Sequence, residues 1–95
     1  MNANNTYVFH EDAGHGWLAV KRKELLELNI IKEVSVCSFE KGDTVYLEED
    51  CDAALFIRAM EAKGSKIKYR ESVHPDLSPI RRYAGFKLRM SEKYA

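Results

Sequence analysis

Twice along this chain, two short β-forming runs joined by a turn lead directly into a helical stretch. That repeated order limits the possible folds more than any other feature. The first block opens with Thr6-Tyr-Val-Phe-His10, rich in β-branched and aromatic residues. Glu11-Asp-Ala-Gly-His-Gly16 then turns the chain, with two glycines able to take positive φ. Trp17-Leu-Ala-Val20 returns as a second strand. Arg22 to Asn29 reads as a helix, with Leu25, Leu26 and Leu28 clustered and Asn29 placed to end it.

The second block repeats the plan. Glu33 to Phe39 alternates, with Val34 and Val36 on one side, and predicts a strand. Glu40-Lys-Gly-Asp43 predicts a hairpin loop with Gly42 in the left-handed region. Thr44 to Glu48 pairs back. Asp50 is placed to cap a second helix, whose stripe carries Cys51, Leu55, Phe56, Ala59 and Met60. Gly64 ends it, and Lys66 to Val73 alternates once more. Leu18 and Leu47 hold equivalent places before the two helices, which suggests a weak structural repeat.

The expected class is therefore α+β. The order is ββα-ββα-β, with an antiparallel sheet, two helices on one face and an irregular C-terminal tail. One open sheet face would remain available for binding. The expected division is a flexible N-terminus over 1–5, one domain over 6–73, and a basic tail over 74–95 that docks on the domain or stays mobile. A chain of 95 residues with 45% hydrophobic and 32% charged residues fits one globular unit. No apolar run reaches the roughly 20 residues that span a bilayer. The polar start, Met1-Asn-Ala-Asn-Asn5, does not resemble a secretion signal. Two cysteines, Cys37 and Cys51, are too few for a disulfide framework, and both are expected to be reduced thiols of a cytoplasmic protein.

The net charge is zero, which excludes a polyacidic mimic of DNA and a wholly basic nucleic-acid binder. The zero hides a division. Residues 1–62 carry six basic and twelve acidic side chains; residues 63–95 carry nine and three. Such a chain either neutralises itself on folding or offers opposite patches to partners.

Four groups of residues could carry chemistry or recognition. His10, Asp12 and His15 gather around one tight turn, and two imidazoles with a carboxylate could ligate zinc or act as acid and base. The plainer reading is a hairpin tip whose Asp accepts backbone hydrogen bonds. Lys21, Arg22 and Lys23 crowd the positive end of the first helix, which suggests an anion there or pairing with the acidic entrance of the second helix. That entrance holds Glu48, Glu49, Asp50 and Asp52, without the spacing of a calcium loop. Arg81, Arg82 and Tyr83 form a basic-aromatic segment suited to an interface or to nucleic acid, and Trp17 could anchor an interface.

Three segments taken together, Asp12-Ala-Gly-His-Gly-Trp-Leu-Ala-Val20, Gly42-Asp-Thr-Val-Tyr-Leu-Glu-Glu-Asp-Cys-Asp-Ala-Ala54 and Ser78-Pro-Ile-Arg-Arg-Tyr83, resemble a group of short proteins encoded by bacteriophages, prophages and other mobile elements. The likeness covers most of residues 6–86. It implies no catalytic residue. It implies a small accessory factor that binds and disables a host component, such as a restriction or CRISPR complex. The expectation is a non-catalytic protein-binding factor that acts by steric occupation. Its contacts would be Trp17, Glu48, Glu49, Asp50, Asp52, Arg81, Arg82 and Tyr83, with an anion at Lys21, Arg22 and Lys23. The expected setting is the cytoplasm of a bacterial host, with no cofactor and no membrane; a homodimer and a nucleic-acid partner stay open. The alternative is a ligand- or metal-binding domain, or a small hydrolase, centred on His10, Asp12 and His15.

Overall fold

The computed structural model describes residues 5–95. The elements run β1 (Thr6–Glu11), β2 (Gly16–Lys21), α1 (Arg22–Glu27), a 3₁₀ turn (Ile31–Glu33), β3 (Phe39–Lys41), β4 (Thr44–Glu48), α2 (Ala53–Ala62), β5 (Lys68–Val73), a second 3₁₀ turn (Pro79–Arg82), β6 (Ala84–Gly85) and α3 (Met90–Lys93). The fold is α+β, with a six-stranded sheet in the order β5-β1-β2-β4-β3-β6.

The expectation of a wholly antiparallel sheet needs one correction. β5 lies parallel to β1, with Tyr7 opposite Tyr69 and Phe9 opposite Glu71. The cause is α2. A helix returns the chain to the end where the previous strand began, so β5 enters the sheet in the same sense as β4 and β1.

Leu18 and Leu47 do more than occupy equivalent places in the two blocks: they are directly opposite each other in the β2–β4 ladder. Together with Val20 and Val45 they form the floor of the core. Leu25 of α1 and Phe56 and Met60 of α2 complete the same cluster and are fully buried. Both helices therefore cover one face of the sheet. Each such side chain contributes roughly 1.5–3 kcal/mol by leaving water.

The strand expected over residues 33–39 is a second correction. Val34 is buried, but Val36 is 85% exposed, and the chain turns instead of extending. The Asp52 carboxylate sits inside this turn and accepts hydrogen bonds from the Ser35 backbone N–H at 3.0 Å, the Ser35 hydroxyl and the Ser38 hydroxyl. Three local donors converging on one buried acceptor hold the segment in a loop, and pairing begins only at Phe39. The same bonds shift the helix boundary: α2 starts after Asp52, not Asp50, and the Asp52 side chain serves the loop, not its own helix.

Residues 74–95 continue the fold. Ile80 and Phe86 are buried, β6 pairs with β3, and the Phe86 N–H donates to the Ser38 carbonyl at 2.9 Å. The N-terminal segment expected to be flexible falls mostly on residues 1–4, outside the described residues. Asn5 is described, and its carbonyl accepts from the Lys68 N–H at 2.7 Å. Among the described residues no helix is long and apolar enough to cross a membrane.

Candidate functional site: the hairpin tip and the open sheet face

At the tip between β1 and β2, Asp12 is a junction of five hydrogen bonds. Oδ1 accepts from the Gly14 and His15 N–H groups, each at 3.0 Å, and from Arg81 Nη2 at 2.8 Å. Oδ2 accepts from Arg81 Nε at 2.7 Å and the Ser78 N–H at 2.8 Å. The carboxylate is enclosed by protein, with none of its side chain exposed. The Arg81 guanidinium, with the backbone donors, holds it far below the ordinary carboxylate range. The plainer expectation of backbone bonds to Asp12 is met, and the tail supplies the rest. All the capacity of this acid is used internally.

The two imidazoles diverge from it. His15 is exposed, 3.7 Å from Glu48 and 5.9 Å from the Trp17 ring. His10 meets Tyr46 edge-on at 5.7 Å and stacks with His74 at 6.2 Å. Burial lowers the His10 pKa, helped by His74 and Arg70, so the ring is neutral at pH 7. The described residues contain no group of three or more His, Cys, Asp or Glu placed to hold a metal.

The glycines of this turn have a different role from the one expected. Neither Gly14 nor Gly16 has positive φ. An added Cβ at Gly16 would overlap the Phe9 ring, and one at Gly14 would stand 2.9 Å from Arg81 Nη2. They are small because neighbours approach closely. Gly42 and Gly64 do take positive φ, at +59° and +84°.

The basic entrance of α1 is divided. Arg22 is buried and donates to Glu92 through Nε at 2.7 Å and Nη2 at 2.6 Å, to Glu40 at 3.1 Å and to the Lys87 carbonyl at 2.7 Å. Its acid partners are thus Glu92 and Glu40, and the expected pairing with Glu48–Asp52 does not form. Lys21 donates to the Thr44 hydroxyl and Lys23 is exposed.

The residues expected to meet a partner also separate. Trp17, Glu48 and Asp52 are buried; Glu49, Asp50 and Arg82 are exposed; Arg81 and Tyr83 are half-buried. The Arg81 guanidinium lies over the Trp17 ring at 5.7 Å, and Phe39 meets that ring edge-on at 6.4 Å. A hollow of about 540 Å³ beside them is lined by His15, Trp17, Cys37, Glu48, Cys51 and Arg81, among others. Contacts with the Cys37 thiol and the Glu48 carboxylate push the Cys51 thiol up to about 12. An activated nucleophile needs the opposite shift.

The pairing registers show a feature that apolar periodicity does not mark: the pleat sorts charge. Opposite residues in a ladder share a face, and neighbours along a strand alternate. By that rule Lys21, Lys41, Lys68 and Arg70, all the strand lysines and arginines, project from the face opposite the helices. Glu11, Glu40 and Glu71 project from the helix side, and among the described strand carboxylates only Glu48 shares the cationic face. Tyr46 and His10 stand on that face too, and Tyr83 reaches it from the tail to meet Tyr46 at 5.2 Å. Sequence could have exposed this only by tracking pleat parity for charged residues as well as apolar ones.

No protein-family model matches the chain, and neither does any curated protein or solved structure. The likeness to phage and mobile-element proteins therefore stands on the three sequence segments alone.

Proposed function

We propose that this protein is a non-catalytic binding factor and that the open sheet face is its recognition surface. One observation carries the reading. The acid that a catalytic site at the hairpin tip would require, Asp12, accepts five internal hydrogen bonds and has no capacity left for a substrate. The neighbouring candidates are committed in the same way: Arg22 to Glu92 and Glu40, Asp52 to Ser35 and Ser38.

Among the polar groups left exposed are the lysines and Arg70 of the sheet, beside the half-buried Tyr46 and Tyr83. In the setting that the sequence likeness implies, such a factor occupies a surface of a host defence assembly and blocks it sterically. A cationic face suits an acidic partner, since complementary charge raises the encounter rate and rejects wrong partners.

The test pairs two measurements. Purified protein is assayed against ester, phosphoester and amide substrates, and a tagged form is compared with its Lys41→Glu/Arg70→Glu variant for what each retains from bacterial lysate. No turnover, with a defined partner retained by the parent and lost by the variant, supports the proposal. Turnover that disappears in His10→Ala overturns it.

A further inference from the structure

Four rings form a line across the open face. His74 stacks on His10, His10 meets Tyr46, and Tyr46 meets Tyr83. Lys41 closes the line, with Nζ 4.9 Å from the centre of the Tyr83 ring. The contacts of Tyr46 are angled, 63° to His10 and 54° to Tyr83. An angled contact sets the edge of one ring toward the face of the other, and Lys41 stands over one face of Tyr83; both tyrosines are nonetheless only half-buried, so part of each ring meets solvent.

Beside this line runs a row of cations. Lys68 lies opposite Thr6, and Lys21 and Lys41 both lie opposite Thr44. These five residues stand on the successive strands β5, β1, β2, β4 and β3. At about 4.8 Å per strand the row is roughly 20 Å long. Arg70, opposite Val8, stands one pleat repeat further along the same face. Between the charges the face dips into a hollow of about 300 Å³ lined by Thr6, Val8, Ala19 and Thr44, with Glu24 of α1 also in its lining. Its one strand carboxylate, Glu48, is at the far end, buried near His15.

From this juxtaposition of stacking rings and a parallel row of cations, we infer that the open face binds single-stranded nucleic acid. Bases rest on Tyr46 and Tyr83, and phosphates lie along Lys21, Lys41, Lys68 and Arg70. The inference rests on the proposal that this face is the recognition surface, and it names the partner. A polyanion without rings would satisfy the lysines and leave the tyrosines uncovered. A duplex would present phosphates with its bases already stacked on one another. Only an unpaired strand uses both features.

The experiment is fluorescence anisotropy with short fluorescein-labelled oligothymidylate and oligouridylate. A duplex of the same length and a polyglutamate peptide serve as comparisons. The inference expects at least one single strand to bind more tightly than the duplex and polyglutamate. Tyr46→Ala and Tyr83→Ala are each expected to weaken that binding about tenfold, within the range seen for loss of one stacked base. Lys41→Gln should flatten the dependence on salt. Circular dichroism and thermal unfolding of each variant separate lost binding from lost folding, and Tyr46→Phe, which keeps the ring, is expected to bind like the parent. Failure of both single strands to bind overturns the inference, as does binding no tighter than to duplex or polyglutamate, or indifference to both tyrosine variants. If the strands fail while Lys41→Glu/Arg70→Glu still abolishes retention of a lysate protein, the face recognises protein, and only the nucleic-acid inference falls.

Discussion

Asp12 and Arg81, 69 positions apart, form a two-point ion pair through Arg81 Nε at 2.7 Å and Nη2 at 2.8 Å. The pair joins the first hairpin to the tail and sets the Arg81 guanidinium over Trp17. It converts two separate sequence motifs into one structural unit, and it explains why neither is free to act alone. A two-point Arg–carboxylate bond fixes orientation as well as distance.

Asp12→Asn therefore loosens the tail before it unfolds the domain. Amide hydrogen exchange is expected to accelerate from Ser78 to Gly85 while Leu18, Val45 and Phe56 stay protected. Equal acceleration at all these sites would mean that the tail and the core open together.

Low pH acts on the same contact. Asp12 and Glu92 both have pKa values lowered in the folded chain, by Arg81 and Arg22 respectively. A carboxyl depressed on folding stabilises the protein above its unfolded pKa and loses that contribution as pH falls through the folded value. Urea midpoints are expected to fall modestly as pH drops below about 7, where the unfolded chain protonates His10 more readily than the folded one, and more steeply below about pH 4. The fall should be shallower in Asp12→Asn.

Glu92→Ala leaves Arg22 buried with only Glu40 and the Lys87 carbonyl. Breaking a buried pair from one side costs about 3 kcal/mol, a large part of the stability of a small domain. Thermal unfolding should show a drop of more than 10 °C, roughly, for a loss of that size. Replacement of both partners by apolar residues, Arg22→Met with Glu92→Leu, is expected to recover much of it.

Gly16→Ala forces a methyl group into the Phe9 ring, and overpacking of this kind costs roughly 1–3 kcal/mol. Urea unfolding measures it, and Phe9→Leu in the same chain is expected to relieve it. The matching change at Gly42, where no atom stands within 4 Å of an added Cβ, acts only through its positive φ.

The edge strand β5 resists pairing with its own copy. A continuous two-fold sheet centred on the middle of β5 sets Arg70 against Arg70 or Glu71 against Glu71, and like charges directly opposite are destabilising. Glu71→Val removes one repulsion and adds a β-branched residue. Sedimentation equilibrium is expected to show more self-association in that variant than in the parent.

Particular residues show how far the sequence could be read. Leu18 and Leu47 marked the two blocks because both are core positions, and apolar periodicity reports the core directly. Gly42 and Gly64 were legible because positive φ excludes most other residues. The bend at Ser35–Ser38 was not, since it depends on a buried acceptor, Asp52, whose bonds across the loop outweigh the alternation of Val34 and Val36. The direction of β5 was hidden for a related reason: periodicity marks a strand without saying which edge it joins. At the site, Tyr83 was visible as part of a basic-aromatic segment. Its partners Tyr46, His10 and His74 come from three distant segments, and only the register brings them together.

The most direct test of the account is amide chemical-shift mapping of isotopically labelled protein titrated in turn with short oligothymidylate and with short oligouridylate. Shifts confined to His10, Lys21, Lys41, Tyr46, Lys68, Arg70 and Tyr83, with α1 and α2 unmoved, are the predicted result. Shifts centred on Glu49, Ala54 and Ile57 of the helix side, or none at all, would contradict it.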